Sequence, residues 1–233
     1  MGWSHNGGDV LKRESRQQAI MDLLVAEGNV DLDSLAERFA VSRMTIHRDL
    51  DELESAGLLR KVRGGATIES GTRFESDFRF RERQGGAAKS AMATEALDLV
   101  EPGMTVMIND GSMAALLGER LTAKRPLTVI TNNAAVIDAL KAEAGITLIA
   151  LGGLYSPKFN AFLGKVTEEA LESLRADIAF ISTPGVSGLE VFHMDEQVVR
   201  AKRLMMDKAR IRCLVVNHAR FGHAALYRLG ALA

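Results

Sequence analysis

Apolar residues recur with helical spacing in the first part of the chain. One such pattern covers residues 13–27, and Gly28 follows it as a helix-ending residue that can take a left-handed conformation. A second pattern follows Asp31, a residue type whose side chain accepts backbone N–H groups at a helix N-terminus. The two patterns predict two successive helices.

A third helix is predicted to begin after Ser42, whose hydroxyl can accept a backbone N–H group. Val41 and Ile46 occupy the two positions of a hydrophobic staple around this start. The residues at i, i+4 and i+7 that should face inward are Ile46, Leu50 and Leu53. Those expected on the exposed side are Met44, His47, Arg48 and Asp51. Gly57 is expected to end the helix.

The segment "LLRKVRGGATI" follows the third helix and has apolar residues on both sides of a Gly-Gly pair. This arrangement predicts a short hairpin with its turn at Gly64 and Gly65. Three helices followed by a hairpin predict a winged helix-turn-helix domain over residues 13–68.

A winged helix-turn-helix holds duplex DNA at two points, the N-terminal end of the recognition helix and the wing. The candidate DNA-binding residues on the helix are Ser42, Arg43, Met44, Thr45, His47 and Arg48. Those on the wing are Arg60, Lys61, Arg63, Gly64 and Gly65. In the alternative, the arginines only solvate the surface of a three-helix core. The charges that would offset them belong to Asp49, Asp51, Glu52 and Glu54.

From Ala91 onward, apolar strands alternate with amphipathic helices. The predicted strands are 104–108, 127–131, 146–151, 178–183 and 213–217, and the predicted helices are 93–100, 112–121, 134–142, 166–174 and 195–209. This order is typical of βαβ units. It predicts an α/β domain over residues 89–233 with a doubly wound, mostly parallel sheet. Residues 69–88 are predicted to be a linker with a helix from about Asp77, and residues 1–12 are predicted to be disordered.

Several loops that follow the predicted strands carry groups suited to an anion. Ligands of open parallel sheets bind beyond the carboxyl ends of the strands, where backbone N–H groups at helix starts can receive a phosphate. The candidates in these loops are Asp110, Gly111, Ser112, Thr131, Asn132, Asn133, Gly152 and Gly153, with charge from Lys158, Lys202 and Arg220. Ordinary turn and cap chemistry is the alternative for the loops. For Lys202 the alternative is a solvated helix residue.

Composition and charge limit the function classes. The 233 residues are 47% hydrophobic and 25% charged with a net charge of −1, so DNA affinity must come from a local basic patch. Cys213 lies in an apolar run and is expected to be a buried structural thiol. The histidines lack zinc spacing, and neither a Walker loop nor a dinucleotide fingerprint occurs, so no metal or cofactor is expected. A signal peptide and a membrane span are not apparent, and a cytoplasmic location is expected.

The run "RQQAIMDLLVAEGNVDLDSLAERFAVSRMTIHRDLDELESAGLLRKVRGGA" resembles the N-terminal domain of the DeoR-type family of bacterial transcriptional regulators. The family's T-I-R-R-D-L motif appears as residues 45–50, with His47 in place of one arginine, and its G-G-A motif is intact at residues 64–66. The resemblance implies a winged helix-turn-helix that usually represses transcription.

The segments "INDGSM", "TNNAAVIDAL", "LGGLYSPKFNAFLG" and "NHARFG" resemble the same family's effector domain. The resemblance implies a fold similar to ribose-5-phosphate isomerases and a phosphorylated metabolite as the effector. It adds Asn109, Gly185 and Asn217 to the candidate effector-binding residues. Carboxylates that many relatives carry are replaced by Asn109, Pro184 and Asn217. Relatives usually continue through another strand, which raises the hypothesis of a C-terminal truncation at Ala233.

Three functional hypotheses follow. The leading one is a repressor of carbohydrate or related metabolic genes that binds operator DNA as a homo-dimer or higher homo-oligomer and responds to a phosphorylated metabolite. The second is a sugar-phosphate isomerase with a DNA-binding appendage, which would need a positioned base such as Asp110 or Asp195. The third is a constitutive DNA binder whose degenerate sensor only oligomerises.

Overall fold

The computed structural model describes residues 13–67, 78–83 and 85–232. The chain divides into two compact units, Met1–Arg83 and Gln84–Ala233. The prediction of disorder for residues 1–12 lies outside the described residues, as do residues 69–77 of the predicted linker. Within that linker, residues 78–83 form a helix and another helix already begins at Gly86.

The first unit has the elements of a winged helix-turn-helix. Its helices and strands are α1 Arg13–Glu27, β1 Asn29–Asp31, α2 Leu32–Arg38, α3 Arg43–Ser55, β2 Arg60–Val62, β3 Gly65–Thr67 and α4 Phe78–Arg83. The three strands form an antiparallel sheet in the order β1-β3-β2. As predicted, Asp31 caps α2 by accepting the backbone N–H groups of Asp33 and Ser34, each at 3.0 Å. The hydrogen bonds from Ser34 lower the pKa of Asp31.

The wing differs from its prediction in the position of the turn and in its number of strands. The turn lies at Arg63 and Gly64, whereas Gly65 is already part of β3. Strand β1 was not predicted, because its three residues are too few to show an alternating pattern. It runs so close to Gly65 that a Cβ atom there would lie 1.9 Å from the carbonyl oxygen of Val30. Gly65 is therefore required by the packing of the wing.

A buried ion pair joins the first and third helices. Arg16 donates to Asp49 through Nε at 2.5 Å and through a terminal nitrogen at 3.1 Å, and the two residues are 6% and 2% exposed. Around them, the predicted inward residues of α3 are buried in the apolar core, namely Ile46, Leu50 and Leu53. The interpretation of Asp49 as a surface charge that offsets the recognition helix is wrong. This carboxylate is matched by Arg16 inside the unit.

The second unit is built on a parallel sheet of five strands. The strands of this sheet are β4 Thr105–Ile108, β5 Leu127–Thr131, β6 Ile146–Ala150, β9 Ala176–Ser182 and β12 Ala209–Val215, in the spatial order β12-β9-β4-β5-β6. The helices of the unit are α5 Gly86–Leu97, α6 Ser112–Arg120, α7 Ala134–Leu140, α8 Lys165–Glu172 and α9 Glu196–Lys208. The predicted doubly wound α/β architecture is confirmed. The order of strands reverses between β4 and β9, where such sheets open a crevice for ligands.

Five further strands lie outside the parallel sheet and were not predicted. They are β7 Leu154–Ser156, β8 Ala161–Leu163, β10 Gly185–Ser187, β11 Glu190–His193 and β13 Tyr227–Ala231. β7 and β8 form a hairpin, while β10, β11 and β13 form an antiparallel sheet. The backbone N–H group of Phe162 in β8 donates to the carbonyl oxygen of Asn132 at 2.8 Å. The hairpin is thereby attached to the loop at the carboxyl end of β5. Among the described helices, none is both long enough and apolar enough to cross a membrane.

Candidate functional site

The polar residues at the start of α3 are bound within the first unit. Ser42 is the N-cap, because its hydroxyl accepts the backbone N–H group of Thr45 at 3.1 Å and lies 2.9 Å from the Thr45 hydroxyl. The guanidinium of Arg43 forms two contacts with the carboxylate of Asp33 in α2, at 2.5 Å and 2.9 Å. Both side chains of this pair are exposed. Arg43 therefore connects the two helices of the helix-turn-helix at its outer surface.

Three exposed side chains share the remaining face at the start of α3. Met44, His47 and Arg48 stand at i, i+3 and i+4, so they lie on one side of the helix. Met44 is 62% exposed, the largest exposure among the bulky apolar side chains of this helix. In the described parts of the chain, the side chains of His47 and Arg48 form no hydrogen bond or ion pair. We call these three residues the leading face.

The other acids of α3 have partners within the first unit, and Asp51 is on the same side of the helix as the leading face. Glu52 contacts Arg13 and accepts from Gln17 at 2.8 Å. Asp51 contacts the ammonium group of Lys61, and the Glu54 carboxylate accepts the Lys61 backbone N–H group at 2.7 Å. Lys61 and Arg13 thus offset part of the negative charge that Asp51 and Glu52 place near Arg48.

The candidate wing residues have different environments. Arg60, Arg63 and Gly64 are exposed, and Gly64 takes a positive φ of 85° at the tip of the turn. Lys61 is half-buried, and its ammonium group forms an ion pair with the Asp51 carboxylate. Gly65 is buried in β3, and a DNA contact at this residue stays a prediction. Because their side chains are exposed, we expect Arg60 and Arg63 to reach a phosphate backbone.

We expect the double substitution Arg60→Ala and Arg63→Ala to weaken binding to any duplex DNA and to flatten its salt dependence. Each lost phosphate contact removes about 0.9 from the slope of log K against log salt, so the slope should fall by about 1.8. Titration of a labelled duplex at several salt concentrations measures this slope. Lys61→Ala is the matched control, with a smaller expected change because Asp51 already holds its charge. A double variant with an unchanged slope would contradict the assignment.

We expect Ser42→Ala to destabilise the first unit by about 0.5–2 kcal/mol, because the α3 N-terminus loses its side-chain acceptor. Thermal unfolding of the whole chain measures the loss. The same substitution at Ser55 is the control, since that hydroxyl donates to the Asp51 carbonyl oxygen and caps no helix start. If Ser42→Ala melts like the parent protein but binds DNA more weakly, the hydroxyl contacts DNA and does not act as a cap.

In the second unit, the ends of β4 and β9 enclose a buried polar cluster. Asn109, Asp110 and Lys202 are 0%, 1% and 2% exposed. The Lys202 ammonium donates to the Ser182 carbonyl oxygen at 2.8 Å and lies 3.5 Å from the Asp110 carboxylate. The Asn109 amide nitrogen is 3.2 Å from the same carboxylate, and its oxygen accepts the Ser182 N–H group at 3.0 Å. The interpretation of Lys202 as a solvated helix residue is wrong, because α9 inserts this side chain into the switch point of the sheet.

Residues after β5 connect this cluster to the neighbouring loops. The Asn133 amide nitrogen donates to the carbonyl oxygens of Asn109 at 3.2 Å and Gly111 at 3.1 Å, and its oxygen caps α7. Thr131 donates to the Ile108 carbonyl oxygen at 2.7 Å. These contacts agree with the cap and turn interpretation. Asn132 is also fully buried, and its side-chain oxygen has no hydrogen-bond partner among the described residues.

Glycines and Ser112 complete the loops around the cluster. Gly111 precedes α6 with a φ of 108° and no side-chain cap, and the buried Ser112 is the first residue of that helix. A Cβ atom at Gly153 would lie 2.4 Å from the Thr167 hydroxyl, and one at Gly185 would lie 2.6 Å from the His223 carbonyl oxygen. Gly152 is exposed, and its carbonyl oxygen accepts from Thr167 at 2.6 Å. Backbone packing thus accounts for Gly153 and Gly185.

Lys158 and Asn217 have contacts with their own neighbours in the sequence. The Lys158 ammonium lies 5.0 Å from the centre of the Phe159 ring. Asn217 accepts the backbone N–H group of Ala219 at 3.0 Å and caps a 3-10 turn that contains the half-buried Arg220. An effector-binding role for Lys158, Asn217 and Arg220 stays a prediction.

Three polar residues of the second unit were not among the sequence-based candidates, and one of them, Ser182, contacts the cluster. Ser182 ends β9, and its hydroxyl is 3.3 Å from the Asn109 amide nitrogen. His193 is buried, accepts the Asp195 backbone N–H group through Nδ1 at 3.1 Å, and stacks near Phe159. Thr167 is buried beside Gly152. Ser182 lies in the predicted strand 178–183 and Thr167 in the predicted helix 166–174, whereas His193 lies in β11, which was not predicted.

The other reactive groups form no second site in the described part of the chain. Cys213 is partly buried, and burial raises the pKa of its thiol, which disfavours the nucleophilic thiolate. Three or more metal-ligating side chains do not come together in residues 13–67, 78–83 and 85–232.

Comparison with known proteins gives matches for both units. Residues 16–72 match the model of the DeoR-like helix-turn-helix domain, and residues 85–233 match that of the DeoR C terminal sensor domain. The glycerol-3-phosphate regulon repressor of Escherichia coli is 27% identical over 226 residues, which cover 95% of this chain and 88% of that protein. The L-fucose operon activator of Haemophilus influenzae is 29% identical over 218 residues, covering 93% of this chain and 87% of that protein. Ribose 5-phosphate isomerase A from Methanocaldococcus jannaschii aligns with a TM-score of 0.43 at 18% identity, over 59% of this chain and 55% of that one.

Proposed function

Because the chain belongs to the DeoR family of transcriptional regulators, we propose that it is a DNA-binding repressor whose operator affinity depends on a small phosphorylated metabolite. The leading face of α3 carries this proposal. It presents Arg48 and His47 at the end of the helix that enters the major groove, while the acids of α3 have partners within the first unit. The glycerol-3-phosphate regulon repressor and the lactose phosphotransferase system repressor favour repression as the direction of control, although the L-fucose operon activator is as similar.

The sensor half of the proposal rests on the buried cluster at the strand-order switch. Lys202 and Asp110 are withdrawn from water and balance each other's charge. We expect an anionic ligand beside them to compete with Asp110 for Lys202 and thereby to change the arrangement of α9 and the loop after β4. Differential binding of the ligand to two such arrangements is what allosteric control requires.

A homo-dimer is the assembly that we propose on the DNA. Two recognition helices related by a two-fold axis read two half-sites about one helical turn apart, which gives a pseudo-palindromic operator. The exposed positive charge of the leading face is local, since the whole chain has a net charge of −1. A dimer doubles the number of such contacts on one operator.

An isomerase activity receives less support from the cluster. Enediol chemistry needs a carboxylate or similar base that is available to a substrate proton. Asn109 and Asn217 are amides, and the Asp110 carboxylate is held by Asn109 and Lys202. We therefore propose a regulator without catalytic turnover. Conversion of a pentose or hexose phosphate by the purified protein would favour the isomerase hypothesis.

Selection of duplexes from a random DNA pool tests the DNA-binding half of the proposal. The full chain should enrich a pseudo-palindromic sequence, and Arg48→Ala should weaken binding to it without changing thermal unfolding, because Arg48 is exposed. Glu37→Ala, an exposed residue of α2, serves as a control surface substitution. Failure to enrich any sequence, or unchanged affinity of the Arg48 variant, would count against the proposed contact.

A further inference from the structure

The apolar side chain at the second position of the recognition helix has no polar function available to it on DNA. Met44 follows Arg43 at the start of α3 and is 62% exposed. A thioether on a flexible hydrocarbon chain cannot hold a phosphate, which requires a charged group or a strong donor. Within the major groove, the exposed hydrocarbon group that base pairs present is the C5-methyl of thymine.

The residues next to Met44 in the sequence form hydrogen bonds and an ion pair within the protein. Ser42 and Thr45 bond to each other, and the Arg43 guanidinium is held in two contacts by Asp33. These contacts fix the first turn of α3 without using Met44. The side chain of Met44 is consequently presented to the groove from a pre-arranged helix start.

Met44 and Arg48 on the leading face are suited to different chemical groups of DNA. Met44 and Arg48 are four residues apart, which places their Cβ atoms roughly 6 Å from each other along one side of the helix. Arginine at such a position reads guanine or a phosphate, and methionine reads an apolar group. The two side chains therefore supply chemically different parts of one recognition surface.

We infer that Met44 is a specificity-determining residue that contacts the methyl group of one thymine in each operator half-site. The inference rests on the proposed function, because it requires that α3 enters the major groove. It adds the chemical identity of a base that this chain selects. The neighbouring His47 and Arg48 supply polar contacts, which removal of a thymine methyl leaves intact.

Single replacement of each operator thymidine by deoxyuridine tests the inference, because it removes only the methyl group. The operator is first obtained by selection from a random duplex pool with the full chain. With the parent protein, one replacement per half-site should weaken binding about fourfold, the factor for about one buried methyl group. With Met44→Ala, the same replacement should leave affinity unchanged, since the two changes remove the same contact.

Arg48→Ala is the matched control on the same face. It should weaken binding to the operator yet keep the fourfold sensitivity to the thymine methyl. An operator without methyl-sensitive thymidines would overturn the inference while leaving specific DNA binding in place, as would a Met44→Ala protein with the parent's sensitivity. Failure to enrich any operator would overturn the proposed function and, with it, this inference.

Discussion

Replacement of Asp49 by Asn should lower the free energy of unfolding of the first unit by about 3–5 kcal/mol, because it leaves the Arg16 charge buried without its carboxylate. The two side chains form a close bidentate pair between α1 and α3, and both are almost inaccessible to water. Amide hydrogen exchange of residues 13–67 in the full chain measures the local loss of stability. We also expect loss of operator binding, since α1 positions the recognition helix.

Two further variants separate charge burial from other effects of the substitution. Asp51→Asn removes an exposed partner of Lys61 and should cost at most about 1 kcal/mol. The double variant Arg16→Met and Asp49→Asn removes both buried charges, so it should regain much of the lost stability. If Asp49→Asn exchanges its amides as slowly as the parent protein, the ion pair does not hold the two helices together.

Replacement of Lys202 by Met should destabilise the second unit by a similar amount, about 3–5 kcal/mol, because the Asp110 carboxylate remains buried without its cation. Hydrogen exchange of β4, β9 and α9 in the full chain measures this change. Arg200→Met is a control in the same helix. Its guanidinium is exposed and pairs with Glu196 at 2.6 Å in the same helix, so little stability should be lost.

The double variant Lys202→Met and Asp110→Asn tests whether the ligand response needs Lys202 without destabilising the second unit. With both charges removed, the unit should be close to the parent protein in stability, as is common when a buried pair is replaced as a whole. It should nevertheless fail to respond to a phosphorylated ligand, because the buried cation is absent. A stable double variant with an unchanged ligand response would show that Lys202 does not bind the anion.

The sequence predicted the parts of the fold that repeat a local signal. The capped start of α3 at Ser42 and the buried positions Ile46, Leu50 and Leu53 combine periodicity with cap chemistry, and both were found. The five parallel strands were found because each is a run of apolar residues between helices. Short strands such as β1, at three residues, give too few positions for an alternating pattern.

The candidate sites were harder to predict from the sequence because their side chains interact with residues far away in the sequence. Asp49 pairs with Arg16, which is 33 residues earlier in the sequence. The acidic residues next to Asp49 in the sequence are typical of an exposed helix surface. Lys202 meets Asp110 only after α9 packs against the sheet. Gly65 was interpreted from the turn preference of glycine, whereas its requirement comes from the backbone of β1.

Coupling between a phosphorylated ligand and operator affinity is measured directly by the operator Kd at fixed salt across a panel of phosphorylated metabolites. The account predicts that at least one of them shifts the Kd of the parent protein by about 5–150-fold, the usual range of allosteric coupling, without being converted. The Lys202→Met and Asp110→Asn double variant should bind the unliganded operator normally and show no shift. An operator Kd that is the same with every ligand, or a shift that the double variant retains, would contradict the account.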